Sequence, residues 1–194
     1  MEGLIFYCIC FILITGLVMT SGHRRKLVFI LIGLVLFGRI QLTIDHSTIY
    51  LSYIILALTT FYYVSFHTFY HQIYILICSL IVGMTYSSLF IIQIYDPASF
   101  LFKPFIMISL ILLLTILILC KKNETRVLIL LTGFSQGEIL NYLIFTSINL
   151  NYSFGTVAWL DSLSFIFLLM VCLEWIKRNI SLFLSKKQNS KAEI

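Results

Sequence analysis

The sequence predicts an all-α membrane protein, a polytopic bundle of seven transmembrane helices with its N-terminus outside and its C-terminus in the cytoplasm. Three observations lead there. First, 60% of the residues are hydrophobic and 11% charged, whereas soluble domains carry about 25% charge. No soluble core absorbs that much apolar surface in 194 residues, so most of it must face lipid or neighbouring helices. Second, eleven of the thirteen Lys and Arg residues fall in three clusters. These are Arg24 to Lys26; Lys121, Lys122 and Arg126; and Lys177, Arg178, Lys186, Lys187 and Lys191. Cytoplasmic loops are rich in Lys and Arg, so the clusters orient the chain. Third, four apolar runs separate the first two clusters and two separate the last two. Both counts are even, as they must be if all three clusters lie on one side.

The runs are taken in order. A span needs roughly 17 to 25 apolar residues. The first is read at 4–20, with Glu2 before it and the basic cluster after it. That charge order, without a small-residue cleavage pattern, is expected for a retained span rather than a cleaved signal. The second is read at 27–44 and the third at 49–66, separated by the polar break Asp45 to Thr48. His67 to His71 is a weaker break before the fourth, 72–94, and Tyr95-Asp96-Pro97-Ala98 is a turn. The fifth covers 100–120, the sixth 127–150 and the seventh 155–176, with Asn151 to Phe154 turning the chain between the last two. Residues 1–176 then form one transmembrane domain, and 177–194 a basic cytoplasmic tail that can continue the last helix along the inner headgroups.

Net charge of +5 sets topology and meets anionic headgroups. Nucleic acid is not an expected partner, because no basic face exists to neutralise phosphates. The bilayer is the expected environment, with a membrane-protein partner or a second copy met through helix faces or the tail. The five cysteines form no CxxC pair and read as small packing residues. Neither a metal nor a cofactor is implied.

A charge at the centre of a span costs roughly 2.5 to 3.5 kcal/mol, so ionisable residues at depth are the candidates for function. Arg39, Lys103, Glu138 and Asp161 are these. Glu138 lies near mid-membrane and the others in the outer half, where Arg39 and Lys103 can also snorkel to headgroups. Two bases and two acids allow a neutralised cluster, with Arg39 expected to pair with Asp161 or Glu138. Span six carries Ser135, Glu138, Asn141, Tyr142 and Asn149 along one stripe and the GxxxG pair Gly133 and Gly137 on another. Neither face suits lipid, so this helix is expected inside the bundle, with Glu138 serving either as helix glue or in a substrate, ion or proton role. Ser79, Gly83 and Ser87 repeat every fourth residue in span four and predict a tight helix seam.

Gly133-Phe134-Ser135-Gln136-Gly137 matches the serine-hydrolase elbow G-x-S-x-G. The elbow requires a strand–turn–helix, whereas this stretch lies within a span. All four histidines (His23, His46, His67 and His71) fall at span ends or loops, so no base accompanies Ser135 at depth. His67 and His71 have the i, i+4 spacing of zinc ligands but no acidic or thiol partner nearby. No catalytic residue is assigned.

Met1-Glu2-Gly3, Tyr95-Asp96-Pro97, Gly137-Glu138 and Leu160-Asp161, spread along nearly the whole chain, resemble the YphA-like family of small multi-pass membrane proteins of spore-forming Gram-positive bacteria. The resemblance implies a bacterial cytoplasmic membrane protein with a connection to sporulation, and brings no catalytic residues with it. The expected function is that of a non-enzymatic accessory or assembly subunit of a membrane complex. The alternative is a small-solute or ion translocator using Glu138, Asp161 and Arg39.

Overall fold

The structure, a computed structural model, describes residues 40–44, 47–148 and 150–192. The first span, nearly all of the second, and Arg39 lie outside the described residues. Within them the chain is mostly helical. Helix α1 is Leu51–Ser65, α2 Phe69–Tyr95, α3 Pro104–Leu119, α4 Asn123–Ser147 and α5 Val157–Ala192. Strands β1 (Gln41–Ile44), β2 (Ser47–Tyr50) and β3 (Ser153–Phe154) form one small sheet.

That sheet is the first departure from the all-α expectation. Residues 41–44, read above as the end of the second span, pair antiparallel with β2, Gln41 opposite Tyr50 and Ile44 opposite Ser47. Leu42 and Ile44 flank Thr43 in period two, and Thr43, Ile44, Thr48 and Ile49 are β-branched. A hydropathy window merges this pattern with the adjoining apolar runs. Strand β2 also pairs in parallel with β3, Thr48 opposite Ser153, so the hairpin is tied to the loop before α5. The Thr48 hydroxyl donates to Ser153 Oγ at 2.6 Å across that junction.

Element ends move for local reasons. Helix α1 begins at Leu51 because the preceding residues belong to the sheet. A 3-10 turn at Pro97–Ser99 precedes α3, which starts with Pro104 in its first turn, so Lys103 lies exposed before the helix rather than in it. The weak His67 break does separate two helices, at Phe66 to Thr68. Helix α5 runs past Ile176 to Ala192, the continuation allowed above for the tail.

Among the described residues, three helical segments are long and apolar enough to cross a membrane: Phe69–Tyr95, Thr125–Ser147 and Val157–Lys177. Leu51–Ser65 and Pro104–Leu119 are apolar but shorter, at 15 and 16 residues. The main core runs between the helices through Ile75, Val82, Leu112, Ile116, Leu130, Phe134, Leu160 and Ile166. A second cluster, Phe145, Tyr152 and Phe154, joins the sheet to the bundle. Among the described residues the most extensive helix pair is α2 with α4, followed by α3 with α5.

Candidate functional site

The two small-residue patterns of the sequence meet each other. A Cβ built on Gly83 of α2 would lie 3.0 Å from the Gly133 carbonyl oxygen and 3.1 Å from the Gly137 nitrogen of α4. One on Gly133 would lie 2.9 Å from the Ser79 carbonyl oxygen. The two backbones therefore touch, which only glycine allows at this spacing. On either side of that contact the helices exchange side-chain hydrogen bonds. Ser79 Oγ and Gln136 Oε1 are 3.0 Å apart, and the Ser87 hydroxyl donates to Asn141 Oδ1 at 2.5 Å.

Glu138 sits at the centre of this arrangement, 2% exposed. Tyr86 of α2 donates its hydroxyl to Glu138 Oε1 at 2.9 Å. The backbone N–H of Gly155, in the loop before α5, donates to Oε2 at 3.1 Å. Gly155 has φ +65°, the left-handed region that glycine adopts without cost, and a Cβ there would meet Tyr53 Cβ at 2.5 Å. This glycine, read in the sequence as the first residue of the seventh span, is instead a turn residue that presents its N–H to the carboxylate. Span-level reading missed it; the signal was a glycine directly after the turn Asn151 to Phe154.

Asn141 is fully buried and links the same three parts, accepting from Ser87 and donating from Nδ2 to the Tyr152 hydroxyl at 3.3 Å. Tyr152, in the loop between α4 and β3, is held well above the ordinary phenol value, first by burial and then by Glu138 beside it. It thus stays protonated. Tyr53 of α1 donates to the Ser135 carbonyl oxygen at 3.0 Å, while the Ser135 hydroxyl turns back to Leu131 of its own helix. Tyr142 lies outside the polar network, packed on Phe154 with ring centroids 4.8 Å apart.

The expected pairing of Arg39 with Asp161 or Glu138 falls outside the described residues, because Arg39 does. Among the described residues, Glu138 is hydrogen-bonded by the neutral Tyr86, Gly155 and Tyr152. Asp161 lies half-buried on α5. Arg126 departs further. Read from the sequence as a loop charge that sets topology, it is 8% exposed, and its Nε donates to the Cys120 carbonyl oxygen at 2.7 Å. It thereby caps the end of α3, where orphan carbonyls need donors.

Beside Glu138 lies a cavity of about 110 Å³. Tyr86, Phe90, Phe105, Tyr152 and Trp159 wall it, and Gln93, Thr156 and Ser162 add polar groups. His67 and His71 pack ring to ring at 5.0 Å, and no group of three or more metal-ligating side chains occurs among the described residues.

Residues 2–193 match the YphA-like integral membrane protein family, and the chain belongs to that family. No curated protein and no solved structure matches it.

Proposed function

We propose that this YphA-like integral membrane protein is a non-enzymatic accessory or assembly subunit of the cytoplasmic membrane, crossing it seven times with its N-terminus outside. The observation that carries this reading is the length of α5. At 36 residues and about 1.5 Å per residue it is far longer than the roughly 30 Å hydrocarbon core. Its membrane-length part ends at Lys177, so Lys186, Lys187 and Lys191 ride on a helical arm beyond it. With loops this short, the arm and the helix faces are what the chain offers a partner. Affinity purification of the full chain from native membrane, beside a chain stopped after Arg178, tests this. A stoichiometric partner held by the full chain and lost from the shortened one supports the reading; a partner with neither overturns it. Reporter fusions after Lys26, Asn123 and Ile194 should report cytoplasm, and those after Ser47, Pro97 and Asn151 the outside.

Small-solute or ion translocation is the second reading, favoured by the cavity against Glu138. Cysteines placed along α4 and probed with a water-soluble maleimide separate the two, since a pathway is wet and a helix seam dry. If Arg39 pairs with Asp161 or Glu138, Arg39→Ala lowers abundance and removal of the acidic partner partly restores it.

A further inference from the structure

Strand β1 ends the sheet on one side, and among the described residues no strand pairs with its other edge. Two backbone hydrogen bonds fix which groups that edge presents. The Leu51 N–H donates to the Ile40 carbonyl oxygen at 3.0 Å, whereas the Thr48 N–H turns away from β1, to the Tyr152 carbonyl oxygen at 3.3 Å. Positions along an antiparallel pair alternate between bonded and non-bonded. With Leu42 opposite Ile49 and Thr43 opposite Thr48, Leu42 therefore bonds inward, and Gln41 and Thr43 turn their N–H and C=O outward. Gln41, Leu42 and Thr43 are all exposed. Sheets that must stay single blunt such an edge with Lys, Pro or a bulge. Residues 40–44 contain no charge and no proline, and the register runs unbroken through its pairs with β2. Leu42 shares a face with Ile49, which packs against the Phe145–Tyr152–Phe154 cluster, yet Leu42 itself is 44% exposed.

We propose that the β1 edge is the interface between two copies of this chain, joined antiparallel about a twofold axis at Leu42 into one continuous sheet. In that register the Gln41 N–H and C=O meet the C=O and N–H of Thr43 in the second copy, and the reverse holds across the axis. Each partly positive N–H finds a partly negative oxygen, and every outward group of Gln41 and Thr43 is satisfied. The two Leu42 side chains meet at the close, non-bonded position and cover each other's exposed surface. The geometry also suits a membrane. One face of the sheet rests on Tyr53 in the first turn of α1 and Phe145 in the last turn of α4, so the sheet lies across the helix ends. A twofold perpendicular to it runs along the bundle, and both copies cross the bilayer the same way round. This goes beyond the assembly reading and does not rest on it, because the basic arm of α5 takes no part.

Cysteine cross-linking of the full chain in membranes tests the register, with the unsubstituted chain and its five native cysteines as background. Leu42→Cys should give a disulfide-linked dimer on addition of diamide, since Cα atoms at a non-bonded antiparallel position lie about 4.5 Å apart, within disulfide reach. Gln41→Cys and Thr43→Cys should each stay near background alone, because their like positions lie diagonally, about 7–8 Å apart. The two should cross-link when co-expressed. Thr43→Pro is the second variant. It deletes an outward N–H and leaves the bonds between β1 and β2 in place, so light scattering on the purified, folded protein should show dimerisation weakened at least about tenfold. A chain stopped after Arg178 should dimerise as the full chain does, which separates this interface from the arm. A monomer at every concentration, equal cross-linking by the three single cysteines, a dimer indifferent to Thr43→Pro, or a foreign chain captured at Leu42→Cys in place of a second copy would overturn the proposal.

Discussion

Helices α3 and α4 are neighbours in sequence and both are buried in part, yet the chain builds them by opposite rules. Helix α3 is mostly Ile and Leu; it packs on α5, and its Ile108, Leu112 and Ile116 lie in the main core. Helix α4 carries Thr132, Gly133, Ser135, Gln136, Gly137, Glu138 and Asn141 in ten residues, and meets α2 backbone to backbone. In lipid, burying Leu against Leu gains little, because the acyl chains it leaves are equally apolar. Close approach and hydrogen bonds are what distinguish one helix partner from another. The α2–α4 seam therefore specifies the fold, and α3 fills space against it.

The strongest attack on this contrast is Gly137→Leu. A Cβ at Gly137 already lies 2.6 Å from Tyr86 Cδ1 and 3.1 Å from the Gly83 carbonyl oxygen. A full side chain forces the helices apart and breaks the Tyr86–Glu138 bond with them. A loss above about 4 kcal/mol is expected, read as disappearance of monodisperse protein. Wild-type abundance in this variant would show that the seam tolerates separation.

Next in size is Glu138→Ala, which leaves the Tyr86 hydroxyl and the Gly155 N–H without their acceptor. About 3 kcal/mol is expected, since each orphaned group costs about 1–3 kcal/mol. Glu138→Gln keeps a carbonyl acceptor and should recover roughly half of that in a thermal melt. Equal losses in the two variants would mean that charge, not hydrogen bonding, holds the site.

Gly155→Ala probes the third party to the site. A side chain at φ +65° costs about 1–2 kcal/mol, and the contact with Tyr53 Cβ adds to it. About 2 kcal/mol is expected, with helical content unchanged. No effect would mean that this turn can relax without releasing Glu138.

How much of this was legible beforehand follows the same division. The seam residues Ser79, Gly83, Ser87, Gly133 and Gly137 could be picked out because small residues at fourfold spacing have little other use in a span. Which seam met which could not, since spacing fixes a face and not its partner. Glu138 stood out as a buried charge, whereas its donors did not: Tyr86 is one tyrosine of eleven, and Gly155 acts through its backbone. The hairpin at Gln41 to Tyr50 was hidden because strands of four residues vanish inside a window sized for spans. Arg126 was hidden because position in a basic cluster says nothing about whether a guanidinium turns outward or back onto a carbonyl.

The smallest effect expected is also the sharpest comparison, because the same atom is removed from both regions. Ser87→Ala and Ser109→Ala each delete one hydroxyl from a helix interior. Ser87 donates to Asn141 Oδ1 on the opposite helix, and Asn141 is fully buried. Its loss leaves that oxygen without its donor, at a cost of about 1–2 kcal/mol. Ser109 donates within its own helix to the Phe105 carbonyl oxygen at 2.6 Å, and only distantly, at 3.4 Å, to Ser162 of α5. The Phe105 carbonyl keeps its ordinary helical N–H when the hydroxyl goes, so nothing is orphaned. Ser109→Ala should therefore change the melting temperature by less than about 0.5 kcal/mol would. Comparable losses at the two serines would show that α3 is held to α5 as specifically as α2 is to α4, and the division drawn between them would fall.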